Sequence, residues 1–395
     1  MKSTLERASL LSLSLMMVST FAVSPALPQM IAHFKEEGYT AAQMERLIPI
    51  SSFAIIAILL LTPLINRWLK ERAIIVTGLL LLSIGGSLPL LLQSYPLILA
   101  SRLLLGAGIG MLNARAINVI SQRFTGADRT RMLGLRGSVE VLGSALLTFL
   151  AGQLIGISWS AAFAIYGVGL VILVMYLTFV PGITADAEYS EHITSSQHLS
   201  ASQLLYLLGI ALYAGFIILV NSSVTIRLPQ VVEQLGLGTA SQSSILLSVM
   251  MVMGILAGMV YAPLKTWLGN VFQVGVSLIF GLGCFLLWLA NGWWLLTLGA
   301  LSTGFFYSLA LTYSFHTIAE RMPSHLIPTA TTVVLLGCNL GGGLTALVLQ
   351  LLTDLAPGPT AVFGLYSLLT LGMAVILFLA LLYSKKKRFD PSDLI

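Results

Sequence analysis

Residues 182–201, GITADAEYSEHITSSQHLSA, are the longest polar stretch between the apolar runs of this 395-residue chain. Six apolar runs precede it, near 8–31, 47–66, 72–93, 96–120, 132–156 and 160–181. Six follow, near 203–226, 243–264, 271–290, 293–318, 327–353 and 361–384. Each has about the 20 mostly apolar residues that a helix needs to cross a bilayer. The polar stretch thus divides twelve expected spans into two sixes. The division predicts an N-terminal bundle over 1–181, a linker over 182–201 and a C-terminal bundle over 202–395.

Composition agrees. The chain is 57% hydrophobic and only 9% charged, against roughly 25% charged in an ordinary soluble domain. Its mean hydropathy is +0.94. A water-soluble surface of this size cannot be covered with so few charges, but lipid removes that need. The first run could imitate a signal peptide; without a convincing small-residue cleavage site, and with further spans behind it, it reads as a retained helix. Cys284 and Cys338 lie in apolar runs, so no disulfide framework is expected. His192 and His198 have no metal-ligand partners at suitable spacing. No metal and no cofactor are therefore expected.

Charge sets the sidedness. Arg67, Lys70 and Arg72 follow the second run, Arg123, Arg129 and Arg131 the fourth, Lys265 the eighth, Arg321 the tenth, and Lys385 to Arg388 the twelfth. The connections after runs three, five, nine and eleven carry neither Lys nor Arg. Positive charge marks the cytoplasmic side, so both termini are expected inside a bacterial-type inner membrane. The basic tail reads as an anchor to anionic lipid, not as a nucleic-acid patch. Lys35, Arg46 and Arg227 break the rule, in the company of Glu36, Glu37, Glu45 and Glu233.

The halves repeat. Leu27-Pro28-Gln29-Met30 at the end of run one matches Leu228-Pro229-Gln230-Val231 at the end of run seven. Pro63-Leu64 and Trp68-Leu69 after run two match Pro263-Leu264 and Trp267-Leu268 after run eight. Parallel repeats imply two bundles related by an axis along the membrane normal, with a substrate site between them near mid-bilayer.

Here the chain resembles the major facilitator superfamily, over essentially its whole length, and its first half is most like bacterial drug:proton antiporters. Residues Pro63 to Arg72 stand where the family carries glycine-x-leucine-x-aspartate-arginine-x-glycine-arginine-lysine, with Pro63 in place of the glycine and Asn66 in place of the aspartate. Arg102-Leu-Leu-Leu-Gly106-Ala-Gly108-Ile-Gly110 matches the fourth-helix arginine and glycine motif. Arg129-Thr-Arg131-Met-Leu-Gly134 and Trp159-Ser-Ala-Ala-Phe163 also fit. The antiporters' span-five glycine–proline pair is absent: Gly143-Ser144-Ala145 and Gly152 stand in its place. The resemblance implies an all-α membrane protein of 12 transmembrane helices in two pseudo-symmetric six-helix bundles. It also implies a gating role for the loop residues Asn66, Arg67, Lys70 and Arg72, and proton transfer or support of the cavity's outer end for Arg102.

Ionisable groups in hydrocarbon are costly and mark function by default. Run four holds Arg102 and Arg115; run five holds Arg136 and Glu140 one turn apart. Glu140 is the carboxylate that the sequence places well inside a span, and its face continues through Ser144 and Thr148. Proton coupling is therefore assigned to Glu140, Arg102, Arg115 and Arg136. An inert Arg136–Glu140 or Arg115–Glu140 pair is the bland alternative. Asn113, Ser144, Thr148, Tyr206, Tyr213, Thr303, Tyr307 and Asn339 are candidate cavity residues, with interhelical hydrogen bonding as their alternative. The glycines of run four and Gly337, Gly341, Gly342 and Gly343 suit close helix packing. Met250, Met251, Met253 and Met259 are promiscuous apolar contacts or lipid-facing filler, and His316 beside Glu320 and Arg321 is a gate contact or an interfacial histidine.

No nucleotide-binding motif is present, and no intramembrane cluster suits an enzyme. The expected activity is alternating-access secondary transport: proton-coupled export of small hydrophobic or amphipathic compounds by a monomer. Two alternatives stay open. One is uptake or exchange of a small organic anion, favoured by three intramembrane arginines and by the missing glycine–proline pair. The other is a scaffold or sensor that has lost transport.

Overall fold

The structure, a computed structural model, describes residues 4–124, 126–181, 200–323 and 326–388. The linker expected over 182–201 falls almost wholly outside them, as do His192 and His198.

All regular structure among the described residues is helical. In hydrocarbon a backbone amide finds no water, so each segment must satisfy its own N–H and C=O groups, and helices do this. Among the described residues, ten helical stretches are long and apolar enough to cross a membrane, and a bent pair raises the number to eleven. One stretch, Ala240–Trp288, has 49 residues, more than twice what a bilayer requires. It breaks at Gly269, whose φ of +51° ends one helix and starts the next, and so supplies two crossings. Twelve crossings result, as the run count predicted.

In chain order the helices are α1 (Thr4–Ser12), α2 (Leu27–Lys35), α3 (Ala41–Arg46), α4 (Ile50–Trp68), α5 (Glu71–Ser87), α6 (Tyr95–Arg123), α7 (Gly126–Leu154), α8 (Val168–Phe179), α9 (Ala201–Gln234), α10 (Ala240–Leu268), α11 (Phe272–Trp288), α12 (Trp293–Arg321), α13 (Ile327–Leu355) and α14 (Ala361–Arg388). The first crossing is not the continuous helix that its apolar run predicts. It bends by 51° between Thr4–Met16 and Ser19–Lys35, through tight turns at Leu13–Met16, Ser19–Phe21 and Ser24–Ala26. The cause is local. Ser12, Ser19 and Ser24 each donate a hydroxyl hydrogen bond to the carbonyl three residues back, at 2.7–2.8 Å, which competes with helical pairing. Pro25 has no N–H to give.

By alternation along the chain the C-terminal ends of α4, α6, α8, α10 and α12 share one face, with most of the described arginines and lysines; we call it the basic face. The loops after α2, α5, α7, α9, α11 and α13 lie on the far face. The lobes meet through two main helix pairs, α7 with α10 and α4 with α13. Both contacts are tightest toward the far face. Gln153 Nε2 donates to Ser241 Oγ at 2.9 Å, and a Cβ added at Gly152 would fall 1.8 Å from Ser244 Oγ. On the other pair, Gly342 lies against Ser52 and Gly343 against the Phe53 ring. Nearer the basic face, Gly134 and Gly137 on α7, and Gly258 on α10, have open space where a Cβ would stand.

The glycine run of α13 has a second task. A Cβ on Gly341 would lie 2.0 Å from the Gly215 carbonyl oxygen of α9, a backbone atom that cannot swing aside. Close approach of this kind replaces the hydrophobic drive that lipid removes. We expect Gly341→Ala to lower the thermal midpoint of the detergent-solubilised protein by several degrees. Gly372→Ala, which meets nothing within 4 Å, should leave it unchanged or slightly raised, because alanine is the better helix former by about 1 kcal/mol. Thermal unfolding of the two variants side by side checks the contrast.

Candidate functional site

At mid-depth, α7 turns its polar face toward the bent first crossing and α10. Arg136 Nη2 lies 3.1 Å from Glu140 Oε2, with side chains 17% and 26% exposed. This is the one-turn pairing read from the sequence, made inside a span. Arg136 also points Nη2 at Met17 Sδ, 3.4 Å away. Beside them, Val18 is 43% exposed. It lies next to the junction of the two lobes that Ser144 of α7 and Met251 of α10 bridge. One turn along, Ser144 Oγ donates to the Val18 carbonyl at 3.3 Å and also reaches Met251 Sδ across the interface at 3.3 Å. Thr148 is fully buried and donates to the Ser144 carbonyl at 2.8 Å. Tyr307 is half-buried on α12 of the other lobe. Glu140, Arg136 and Ser144 therefore gather on α7, with Met251 of the other lobe against Ser144.

Other candidates lie elsewhere. Arg102 has no solvent exposure. Its Nη2 donates to the Gly86 carbonyl at 3.0 Å and Nη1 to the Tyr166 hydroxyl at 3.3 Å. Its guanidinium carbon sits 4.7 Å and 5.1 Å from the Phe163 and Tyr166 ring centres. The Tyr166 hydroxyl passes a hydrogen bond on to the Ser19 carbonyl at 2.9 Å, and Ser51 Oγ donates to the Arg102 carbonyl at 2.8 Å. This arginine ties α4, α5, α6 and the first crossing together inside one lobe. Its partners are the backbone carbonyl and aromatic faces that a buried guanidinium accepts in place of a carboxylate.

Arg115 does not reach Glu140. It donates to Asn66 Oδ1 and lies 3.9 Å from Glu71, so it belongs with the α4–α5 loop. Both Arg67 and Lys70 of that loop are exposed, while Arg72 donates to the Leu177 carbonyl at 3.4 Å. Tyr213 is buried against α11, its hydroxyl 3.0 Å from Ser277 Oγ. Tyr206, seven residues before it, stands at the basic face under Arg321, 5.5 Å from ring to guanidinium. Thr303 is buried and donates to the Ala300 carbonyl at 2.9 Å. Asn339 spends its amide on the Leu335 carbonyl of its own helix, also at 2.9 Å, and Asn113 is half-buried on α6. For Tyr213, Thr303 and Asn339 the plain interhelical or intrahelical bond is what the structure holds. Cys284 and Cys338 are buried free thiols.

The sequence reading passed over Glu45. The charge pattern places it in a loop as the companion of a misplaced arginine, yet it is 3% exposed. Its Oε1 accepts from Gln230 Nε2 at 2.9 Å and lies 3.4 Å from Arg227 Nη1, both on α9 of the other lobe. The available signal was an exception to the charge rule, Arg227, and an acidic companion of the exceptions, Glu45, on the same face.

Comparison with known proteins follows this geometry. The profile of the Major Facilitator Superfamily matches residues 9–346. The chain belongs to that superfamily. Among solved structures it is similar to the nucleoside transporter NupG (14% identity, TM-score 0.71, 96% of this chain and 99% of that one). It is also similar to a bacterial homologue of the human lysosomal transporter Spinster, in an inward-facing, unoccupied conformation (14%, 0.71, 98% and 100%), and to a D-xylose–proton symporter (15%, 0.70, 94% and 96%). Identities this low carry the fold alone. No curated protein matches the sequence significantly.

Within the superfamily fold, the Arg102 cage makes a prediction. Arg102→Lys keeps the charge but cannot bond Gly86 and Tyr166 as one planar fork. Hydrogen bonds to charged groups are worth about 1.5–3 kcal/mol each, so the variant should unfold several degrees below the parent. Tyr166→Phe removes two bonds, the one from Arg102 and the one to the Ser19 carbonyl, and should also unfold below the parent. Equal midpoints for Arg102→Lys and the parent would refute the cage.

Proposed function

We propose that this superfamily member is an alternating-access secondary transporter that exports small hydrophobic or amphipathic compounds in exchange for protons. The observation that carries the reading is the Arg136–Glu140 pair: a partly exposed carboxylate and its guanidinium at mid-depth, one turn from the α7–α10 contact between the lobes. A carboxylate there can take a proton in one facing state and release it in the other, with Arg136 favouring the charged form once the proton leaves. Met17, Val18 and Met251 give the surroundings an adaptable apolar character, which suits small apolar cargo. Two of the three arginines that favoured an anion are already committed, Arg102 to its cage and Arg115 to Asn66 and Glu71, which weakens the organic-anion alternative.

On this reading the basic face is cytoplasmic, as the Lys and Arg distribution supports, in a cytoplasmic membrane crossed twelve times with both termini inside. The interlobe polar ties described lie at the far face, which supports an inward-facing conformation. One chain contains both walls of the site and acts as a monomer, and an ion gradient supplies the energy.

The test is a thermal-shift screen of a broad compound panel at two pH values, followed by flux in proteoliposomes. Cationic and neutral amphipaths should stabilise the protein, and more so at one pH than the other. In vesicles a ligand so found should drive proton movement across the membrane. Glu140→Gln should retain a thermal shift and lose the proton response. Proton movement that persists unaltered in Glu140→Gln overturns the coupling assignment; stabilisation by small carboxylates alone overturns the cargo class.

A further inference from the structure

Resting on the alternating-access reading, we propose that Glu45 and Arg227 are the gating pair of the far face, a lock between the lobes that must part before that face gives access to the interlobe space.

The lock is built from both sides. α3 is a six-residue helix set in place by a capping box: Thr40 accepts from the Gln43 amide, and the Gln43 side chain accepts from the Thr40 amide. Its last two residues face the opposite lobe. Glu45 accepts from Gln230 at 2.9 Å and pairs with Arg227 at 3.4 Å. Arg227 in turn donates to Gln230 Oε1 at 3.0 Å and to Thr353 Oγ1 of α13 at 2.5 Å. The neighbouring Arg46 donates to Gln350 Oε1, also on α13, at 2.5 Å. Each lobe thus sends one arginine into the lock, Arg46 from the first and Arg227 from the second.

Three further observations point to a gate and not to mere glue. Arg46 and Arg227 stand on the face that the charge rule keeps free of arginine, and the lock accounts for both. The polar ties described at the basic face run within lobes: Arg123 to Glu6 at 2.9 Å, Arg7 to Asp128 at 2.9 Å, His316 to Glu320 at 3.0 Å. That face presents Arg67, Lys70, Arg129 and Arg131 on one lobe and Lys265 and Arg321 on the other, so like charges oppose its closure. Lastly, the sequence repeat is kept but its use is not. Gln230 of the second Leu-Pro-Gln is buried in the lock, whereas Gln29 of the first is exposed. The second copy has been recruited to a contact that the first does not make.

Disulfide trapping tests the lock without any substrate. In a background with Cys284→Ala and Cys338→Ala, the pair Gln153→Cys and Ser241→Cys replaces an interlobe contact of 2.9 Å at the far face and should cross-link readily. Removing one partner of a buried ion pair leaves the other uncompensated. Glu45→Ala and Arg227→Ala should therefore each slow cross-linking by at least about fivefold. Glu45→Gln, isosteric and safe for folding, should slow it in the same direction. The exchange of both residues, Glu45→Arg with Arg227→Glu, should return the rate to within about twofold of the parent. A purely structural role would lower the thermal midpoint and leave the cross-linking rate alone. Unchanged rates in Glu45→Gln, in protein that elutes as the parent does, overturn the proposal. Failure of proton coupling at Glu140 leaves this readout untouched, so the two readings fail separately.

Discussion

A charge inside hydrocarbon must be accompanied by something that stabilises it there, and the placement of nearly every informative residue in this chain follows from that constraint. Arg102 is surrounded by a carbonyl, a hydroxyl and two aromatic faces. Arg136 is accompanied by Glu140 on its own helix. Arg115 folds back to the loop at the end of α4. Glu45 is accompanied by residues of the opposite lobe. The arrangements of Arg102 and Arg115 lie within one lobe and persist through any motion of the lobes as rigid bodies. The fourth depends on how the lobes stand, and this separates a structural charge from one whose energy changes with conformation.

How much of this could be read from the sequence depended on the range of each interaction. The twelve crossings were plain, because hydropathy is a local property and lipid punishes exceptions. The Arg136–Glu140 pair was legible because helical geometry fixes neighbours one turn apart. The close packing of the glycines was legible in kind, but their partners were not, since Gly341 against Gly215 joins helices more than a hundred residues apart. Tyr206 and Tyr213 show the limit of facial arguments. They share a stripe of α9, yet one meets Arg321 at the basic face and the other is sealed against α11. Periodicity gives the direction of a side chain from its own helix and nothing of what stands opposite. Glu45 was missed for the same reason, as its partner lies 185 positions away. The bend in the first crossing went unread because serine hydroxyls and one proline counted as apolar-run filler, although their local hydrogen bonding decides the backbone.

The glycine contact between α4 and α13 sets the mechanics of the lock. Gly343 rests on the flat ring of Phe53, a contact without interlocking side chains, over which two helices can tilt. Gln350 lies seven residues further along α13, about 10 Å at the helical rise. If the first contact is the fulcrum, the second is the end of a lever. A rigid-body rotation of roughly 15° carries the far rim apart by about 3 Å, enough to sever a hydrogen bond while barely disturbing the helix contact at its base. The protein can thus concentrate a small rotation into a discrete break at a few polar atoms, converting a smooth tilt into something closer to a snap.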